Sequence, residues 1–411
     1  MRTFPSTVIR LDNGLRLVHI HQHGVGAGIF GVVVRAGSAD EDIDSFGLAH
    51  LVEHTIFKGT AKRSSWHIIN RMEAVGGELN AFTTKEDTTV YSIFPSGNAA
   101  RAIELIGDLV LNSRFPEREM EKEREVVLDE IYSYRDTPSE AVFDDFEDFV
   151  FSGTPLGHNI LGSPDSVRKL GGASCREFLD CYYTASNMVA FYSGPQGVDR
   201  IAALVSRCFA VLTPGESNIH PEPSVFTHGW RDTGVEGLHQ VHAILGIPAA
   251  SLYSEGRFAD ALFANFIGGP GMNSLLNVEL RERRGLVYTV EAGVTHFSTT
   301  GLLTVYFGCD AEDCRRCLRL CSDSLRRLAD TPEKTLERRL AKAKRQYLGQ
   351  MAIAAENREN RVMAFARSVL YNDSLPSDAA LCEAVQAVTP AQITTLAAAL
   401  AEPAALIYRP E

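Results

Sequence analysis

The chain has 411 residues, with 52 Asp and Glu against 40 Lys and Arg and a formal net charge of -12. That length exceeds one ordinary hydrophobic core and suggests two domains of about 200 residues each, while the acidic balance argues against non-specific nucleic-acid binding. No apolar run is long enough to span a bilayer and the opening Met1-Arg2-Thr3-Phe4-Pro5-Ser6 lacks an apolar signal core, so the expectation is a cytoplasmic protein with no membrane or nucleic-acid partner.

The first strand-like stretch carries His19, His21 and His23 at alternate positions. No carboxylate or cysteine accompanies them, so they are expected on an exposed polar strand face. The apolar run Gly28 to Val34 reads as the next strand. Then Gly47-Leu48-Ala49-His50-Leu51-Val52-Glu53-His54 places two imidazoles one helical turn apart, with a carboxylate adjoining them. Neutral imidazole is a good zinc ligand, and a catalytic zinc takes three protein ligands and leaves one position open. A neighbouring carboxylate can accept a proton from water. The order matches the inverted His-x-x-Glu-His signature of zinc peptidases. Histidines at helical spacing by chance are the competing explanation, and a third ligand downstream decides between them.

Gly76-Gly77-Glu78-Leu79-Asn80-Ala81-Phe82-Thr83 followed by Thr88-Thr89-Val90-Tyr91 reads as a hairpin with a Gly-Gly turn. The acidic run Glu117 to Ile131 reads as a helix, for the most part a solvated face laced with opposite charges. Within it Glu123 and Glu130 are seven apart and project from nearly one side, with Val127 between them, which makes this helix the candidate source of the third ligand. Cys175 to Tyr183 reads as a helix leading into the apolar strand Met188 to Tyr192. Residues 213–228, with Pro214, Gly215, Pro221 and Pro223, read as a linker.

The second half repeats the pattern. An apolar strand runs from Val241 to Ile247, and Gly268-Gly269-Pro270-Gly271 forms a turn without nucleotide-binding spacing. Leu280-Arg281-Glu282-Arg283-Arg284-Gly285-Leu286-Val287-Tyr288 reads as a basic helix end capped by Gly285. Cys314, Cys317 and Cys321 fall at i, i+3, i+7 with Leu325 and Leu328 beyond them, the buried stripe of a helix rather than an iron–sulfur site. The eight cysteines form no dense framework of the secreted kind. Thr389-Pro390 opens a last helix through Leu400, and Ala404 to Tyr408 follows as a strand. Both halves therefore close on a helix leading into a strand, an internal duplication at the level of pattern.

Together these segments resemble the pitrilysin, or insulinase-type, family of zinc peptidases, which takes in insulin-degrading enzyme and the two-domain mitochondrial processing peptidases. The resemblance covers nearly the whole chain: Arg35-Ala36-Gly37-Ser38, Phe57-Lys58-Gly59-Thr60 and Leu156-Gly157-His158 through Ile160-Leu161-Gly162 also fall in family order. It implies an α+β fold of two homologous domains, each a mostly antiparallel sheet packed with helices. The catalytic domain would span 1–212 and its homologue 229–411, joined by the linker 213–228. It implies one zinc ion per chain on His50, His54 and Glu130, with Glu53 as general base and Glu123 as an auxiliary group that holds no metal. Asn80, Ala81 and Thr83 would lie on a strand edge that pairs with extended substrate. Arg281 and Tyr288 would contact substrate, the Tyr288 hydroxyl donating to the developing oxyanion. The activity so implied is a zinc metalloendopeptidase acting on peptides or unfolded polypeptides. The partner so implied is a second copy in a homodimer, or a second two-domain subunit. A non-catalytic or regulatory subunit, or a peptide-binding member with structural zinc, is the alternative. Retention of the whole ligand set weighs against the first and the want of a fourth ligand against the second.

Overall fold

Two sheets organise the chain, each built from one half of the sequence. The structure, a computed structural model, describes residues 5–212, 215 and 222–411. The first four residues, together with residues 213, 214 and 216–221 of the expected linker, lie outside the described residues. Strands β1 (Ser6–Arg10), β2 (Arg16–His21) and β3 (Ala27–Val34) precede helices α1 (Leu48–Thr55) and α2 (Ser65–Glu73). The hairpin of β4 (Glu78–Thr83) and β5 (Thr88–Pro95) leads to α3 (Ala99–Asn112), α4 (Glu117–Arg135) and α5 (Pro138–Val150). The short α6 (Pro164–Val167) and α7 (Gly172–Tyr182) lead into β6 (Met188–Gly194), with α8 (Val198–Cys208) after it. The second half runs β7 (Trp230–Val235), β8 (Val241–Ala249), α9 (Arg257–Gly268), a π-helical turn Asn277–Glu282, β9 (Val287–His296) and β10 (Gly301–Cys309). It closes with α10 (Cys314–Ala329), α11 (Glu333–Ala354), α12 (Arg358–Asn372), α13 (Asp378–Ala387), α14 (Pro390–Leu400) and β11 (Ala404–Pro410).

The first sheet has the order β1-β2-β6-β3-β5-β4 and the second β7-β11-β8-β10-β9. Neighbours are antiparallel except for β2 with β6 and β7 with β11, so both sheets are mixed but mostly antiparallel, as an α+β fold requires. Leaving out β1, the two orders correspond strand for strand, with the parallel pair in the same place. The repeat expected from the sequence is thus a repeat of topology, in which α7 into β6 matches α14 into β11. Equivalent edge strands are β4 and β9.

Strand β3 is apolar throughout because both of its faces are covered. Phe30, Val32 and Val34 enter a core with Leu51 of α1, Ile106 of α3 and Leu179 of α7. Ile29 and Val33 turn the other way and pack with Val362, Ala366 and Val369 of α12. That second contact crosses the sequence division. One compact unit comprises Met1–Ile131, Asn159–His220 and Ile353–Ser377, and the other Tyr132–His158, Pro221–Ala352 and Asp378–Glu411. Described strands of the first sheet all precede residue 213 and those of the second all follow residue 228, whereas α5 and α12 cross over. Helix α5 packs on β8 and β11, with Phe143 against Tyr306 at 5.0 Å between ring centroids and the Tyr408 hydroxyl donating to Asp145. An apolar helix stripe fits any uncovered sheet face, so its sequence does not say which sheet it will join.

Two expectations drawn from residue spacing resolve differently. His19 is only 2% exposed: β2 has a neighbour on each side, and the imidazole stacks on Tyr192 and bonds through Nε2 to the Gln196 carbonyl at 2.9 Å. Cys314, Cys317 and Cys321 are buried beside Leu325 and Leu328, as their spacing implies. No helix among the described residues is long and apolar enough to cross a membrane.

Candidate metal centre

Helix α1 begins at Gly47, whose φ of +94° is left-handed and whose Cβ, if present, would stand 2.7 Å from the Leu161 carbonyl oxygen. Only glycine fits there. The Glu41 carboxylate caps the first turn, accepting from the Gly47 N–H at 2.8 Å and the Ala49 N–H at 2.7 Å. Leu51 and Val52 enter the core, which turns His50 and His54 toward α4. On α4, Met120, Val127, Leu128 and Ile131 are buried and carry Glu123 and Glu130 to face the two imidazoles.

The three donor atoms of His50, His54 and Glu130 lie within 4.8 Å of one another. Glu130 Oε2 is 3.7 Å from His50 Nε2 and 3.4 Å from His54 Nε2. Donors on a tetrahedral zinc with bonds of about 2.0–2.1 Å stand roughly 3.4 Å apart, so the set fits that ion. The His50 Nδ1 is buried without a hydrogen-bond partner among the described residues, so the ring is not committed elsewhere. His54 Nδ1 faces Glu123 Oε2 at 3.5 Å, and Glu123 is fixed from behind by Lys58 Nζ at 2.9 Å. Metal-binding imidazoles commonly have such a carboxylate on their other ring nitrogen, where it can orient the ring. Glu53 points instead to β4, where the Thr83 hydroxyl donates to its Oε2 at 2.6 Å.

Electrostatics separate these groups. Burial, helped by repulsion from His54, lowers the His50 imidazole to about 4, so it is neutral near pH 7. Burial alone would lower His54 as well, but the hydrogen bond and charge of Glu130, with Glu53 and Glu123 nearby, raise it. Glu130 is lowered by its hydrogen bond to His54 against the opposing effect of burial. Burial raises Glu53 against the Thr83 hydrogen bond, the direction useful to a group that takes and returns a proton.

Asn80, Ala81 and Thr83 lie on β4, the edge strand beside α1. The Gly76-Gly77 pair joins α2 to β4, and the hairpin turn is Thr84 to Asp87 instead. Arg281 and Tyr288 belong to the second unit. Arg281 is exposed on the π-helical turn, and Tyr288 is 60% exposed near the start of β9. Gly285 closes that turn at φ +61°, its N–H donating to the Arg281 carbonyl at 2.8 Å. Helix α9, which also starts after a glycine, corresponds to α1. Where α1 has His50, Glu53 and His54 at its third, sixth and seventh positions, α9 has Ala259, Leu262 and Phe263, all buried in the second core. The second unit thus has no equivalent donor set on this helix. Sequence reasoning did not find Glu41 or the role of Lys58, because neither sits at a motif spacing that signals capping or carboxylate support.

Comparison with known proteins agrees with this arrangement. The family model for insulinase, peptidase family M16, matches residues 16–164, and that for the M16 peptidase inactive domain matches residues 171–347. An uncharacterized zinc protease of Mycobacterium tuberculosis is 34% identical over 88% of this chain and 82% of its own length. One from Mycobacterium leprae is 32% identical over 94% and 87%, and one from Streptomyces coelicolor 33% over 78% and 71%. Among solved structures, a peptidase M16 inactive domain from Pseudomonas fluorescens superposes with a TM-score of 0.89 over 99% of this chain and 98% of its own at 18% identity. A protease from Helicobacter pylori gives 0.88 over 99% and 100%, also at 18% identity. These two likenesses bear on the fold alone. With the family models covering most of its length and a donor set confined to its first unit, the chain belongs to the insulinase family of peptidases, M16.

Proposed function

We propose that the protein is a zinc-dependent metalloendopeptidase that hydrolyses peptides or unfolded polypeptides, with one zinc ion per chain. The observation that carries this reading is the convergence of His50, His54 and Glu130 beside a buried Glu53 on the same helix. A zinc ion held there would supply a Lewis acid that polarises the scissile carbonyl and makes water a stronger acid. Glu53 takes the proton of the attacking water and delivers it to the leaving amine. Thr83 holds that carboxylate toward β4, whose edge offers N–H and C=O groups to an extended chain. Glu123, held by Lys58, keeps His54 turned toward Glu130. Arg281 and Tyr288 contact the substrate, supplied in a homodimer by the partner copy, with a different two-domain subunit as the other arrangement.

Two substitutions on a quenched-peptide assay with parallel metal analysis test the reading. Glu53→Gln should keep its zinc and lose about 10²–10⁴-fold in kcat, since the amide retains the shape but accepts no proton. Glu130→Gln should lose zinc, because a neutral amide oxygen is a poor ligand. Loss of metal with Glu53→Gln, or full retention with Glu130→Gln, overturns these roles.

A further inference from the structure

An edge strand is held by a hydrogen-bond ladder on one side only, so whatever fixes β4 fixes the surface offered to substrate. Its hairpin loop, closed by the Thr84 N–H on the Asp87 carbonyl at 2.8 Å, is gripped from two directions. On one side the Ser38 N–H donates to the Thr84 carbonyl at 3.2 Å and the Ala39 N–H to the Lys85 carbonyl at 2.7 Å. The approach is so close that a Cβ on Gly37 would stand 2.3 Å from the Thr84 oxygen. On the other side lies α12, which reaches this sheet from the C-terminal half of the sequence. Arg367 donates through Nε at 3.0 Å and Nη2 at 2.6 Å to Asp87 Oδ1, and the Tyr371 hydroxyl donates to Asp87 Oδ2 at 3.1 Å. The same guanidinium stands 5.4 Å from the centroid of the Phe82 ring on β4, and Arg35 covers the Tyr371 ring at 4.9 Å.

Packing α12 on the sheet does not require this. Val362, Ala366 and Val369 already bury its apolar stripe. Asp87 is 5% exposed, and a buried carboxylate is tolerated only where donors surround it, so its partners are fixed rather than incidental. We propose that Arg367, with Asp87 and Tyr371, is a positioning residue that clamps the β4–β5 hairpin and holds the edge strand ready for an extended peptide. The proposal rests on the reading of β4 as the substrate strand. Released from the clamp, the turn end of the hairpin frays and each incoming peptide must order the strand that receives it. Affinity falls while the donor set on α1 and α4 stays in place.

The test uses the full-length protein and its Arg367→Ala and Arg367→Lys variants, with zinc content, hydrogen exchange over residues 78–88 and steady-state kinetics on a quenched peptide. For Arg367→Ala, exchange in that segment and KM should each rise about tenfold with zinc unchanged, while kcat falls by a smaller factor, because Thr83 at the loosened end also holds Glu53. Arg367→Lys should fall between, because an ammonium keeps the ion pair but loses the second hydrogen bond and the ring contact. Unchanged exchange and KM, a loss confined to kcat, or loss of zinc overturns the proposal. If the alanine variant does not fold, the lysine variant decides by the same criteria. Faster exchange in a protein whose parent cleaves no peptide would reject the peptidase reading while supporting the clamp; cleavage with unchanged exchange would reject the clamp alone.

Discussion

Asp40 sits in the short turn before the zinc-motif helix, its carboxylate accepting from the Gly37 N–H at 3.0 Å. Burial pushes it up to about 7, with Glu86 and Glu41 adding repulsion against the Gly37 bond and Arg35. A carboxyl with pKa 3.8 unfolded and about 7 folded binds more protons folded than unfolded between those values, so stability falls as pH rises through that window and levels off above it. Asp40→Asn keeps an acceptor for Gly37 but has no charge to bury. Its advantage over the parent in urea unfolding should widen between pH 5 and pH 8 by on the order of 2 kcal/mol, the full shift being discounted for residual contact with water. An advantage equal at both pH values would mean that Asp40 ionises normally. At this scale the sequence was readable where spacing encodes geometry: His50, Glu53 and His54 at one helical turn, and Glu123 with Glu130 at two. Which of the two glutamates faces both imidazoles could not be derived from that spacing; it came from the family resemblance, and the structure brings Glu130 into the donor set. Asp40, Glu41 and Lys58 carry no periodic signal, and their roles depend on contacts made only once the chain has folded.

Among the elements, β4 has the most to test. With the Thr84 and Asp87 pair closing the loop and the register Thr83 to Thr88 unbroken, ladder alternation turns the N–H and C=O groups of Leu79, Ala81 and Thr83 away from β5. Ala81→Pro therefore removes an outward donor without costing the sheet a ladder bond, a substitution that edge strands tolerate. We expect KM to rise about tenfold with zinc content intact, the loss of one main-chain hydrogen bond to substrate. Retained KM would mean that peptides do not pair with this edge. The strands were legible as apolar runs, and the matching ends of the two halves as helix followed by strand, because each pattern is local. The exchange of α5 and α12 was not. An amphipathic stripe announces that it needs a partner but not which sheet supplies it. The turn of the β4–β5 hairpin was misread for a similar reason: Gly76-Gly77 is the stronger turn signal, yet the loop Thr84 to Asp87 is closed by backbone and Thr84 hydroxyl bonds that need no glycine.

For the molecule as a whole, the duplication has separated the donor set from the residues proposed to contact substrate. The first unit holds the donor set and Glu53, while α9 of the second has apolar residues in those places and the second unit instead presents Arg281 and Tyr288. In the homodimer proposed here, each complete site takes its metal-binding unit from one chain and its Arg/Tyr unit from the other. Isologous pairing would then give two such sites. Mixing two inactive variants, Glu53→Gln and Arg281→Ala, separates this from a site made within one chain. In a mixed dimer the chain with an intact Glu53 faces the partner with an intact Arg281, so one of the two sites works and the other carries both defects. With random exchange half of the dimers are mixed, and activity should return to about a quarter of the parent's. Native mass spectrometry on mass-tagged subunits establishes that exchange has taken place. If mixed dimers form and no activity returns, Arg281 serves the site of its own chain or a different subunit completes it. Recovery without a detectable dimer would instead place the shared site in a transient complex, with activity then rising as the square of protein concentration.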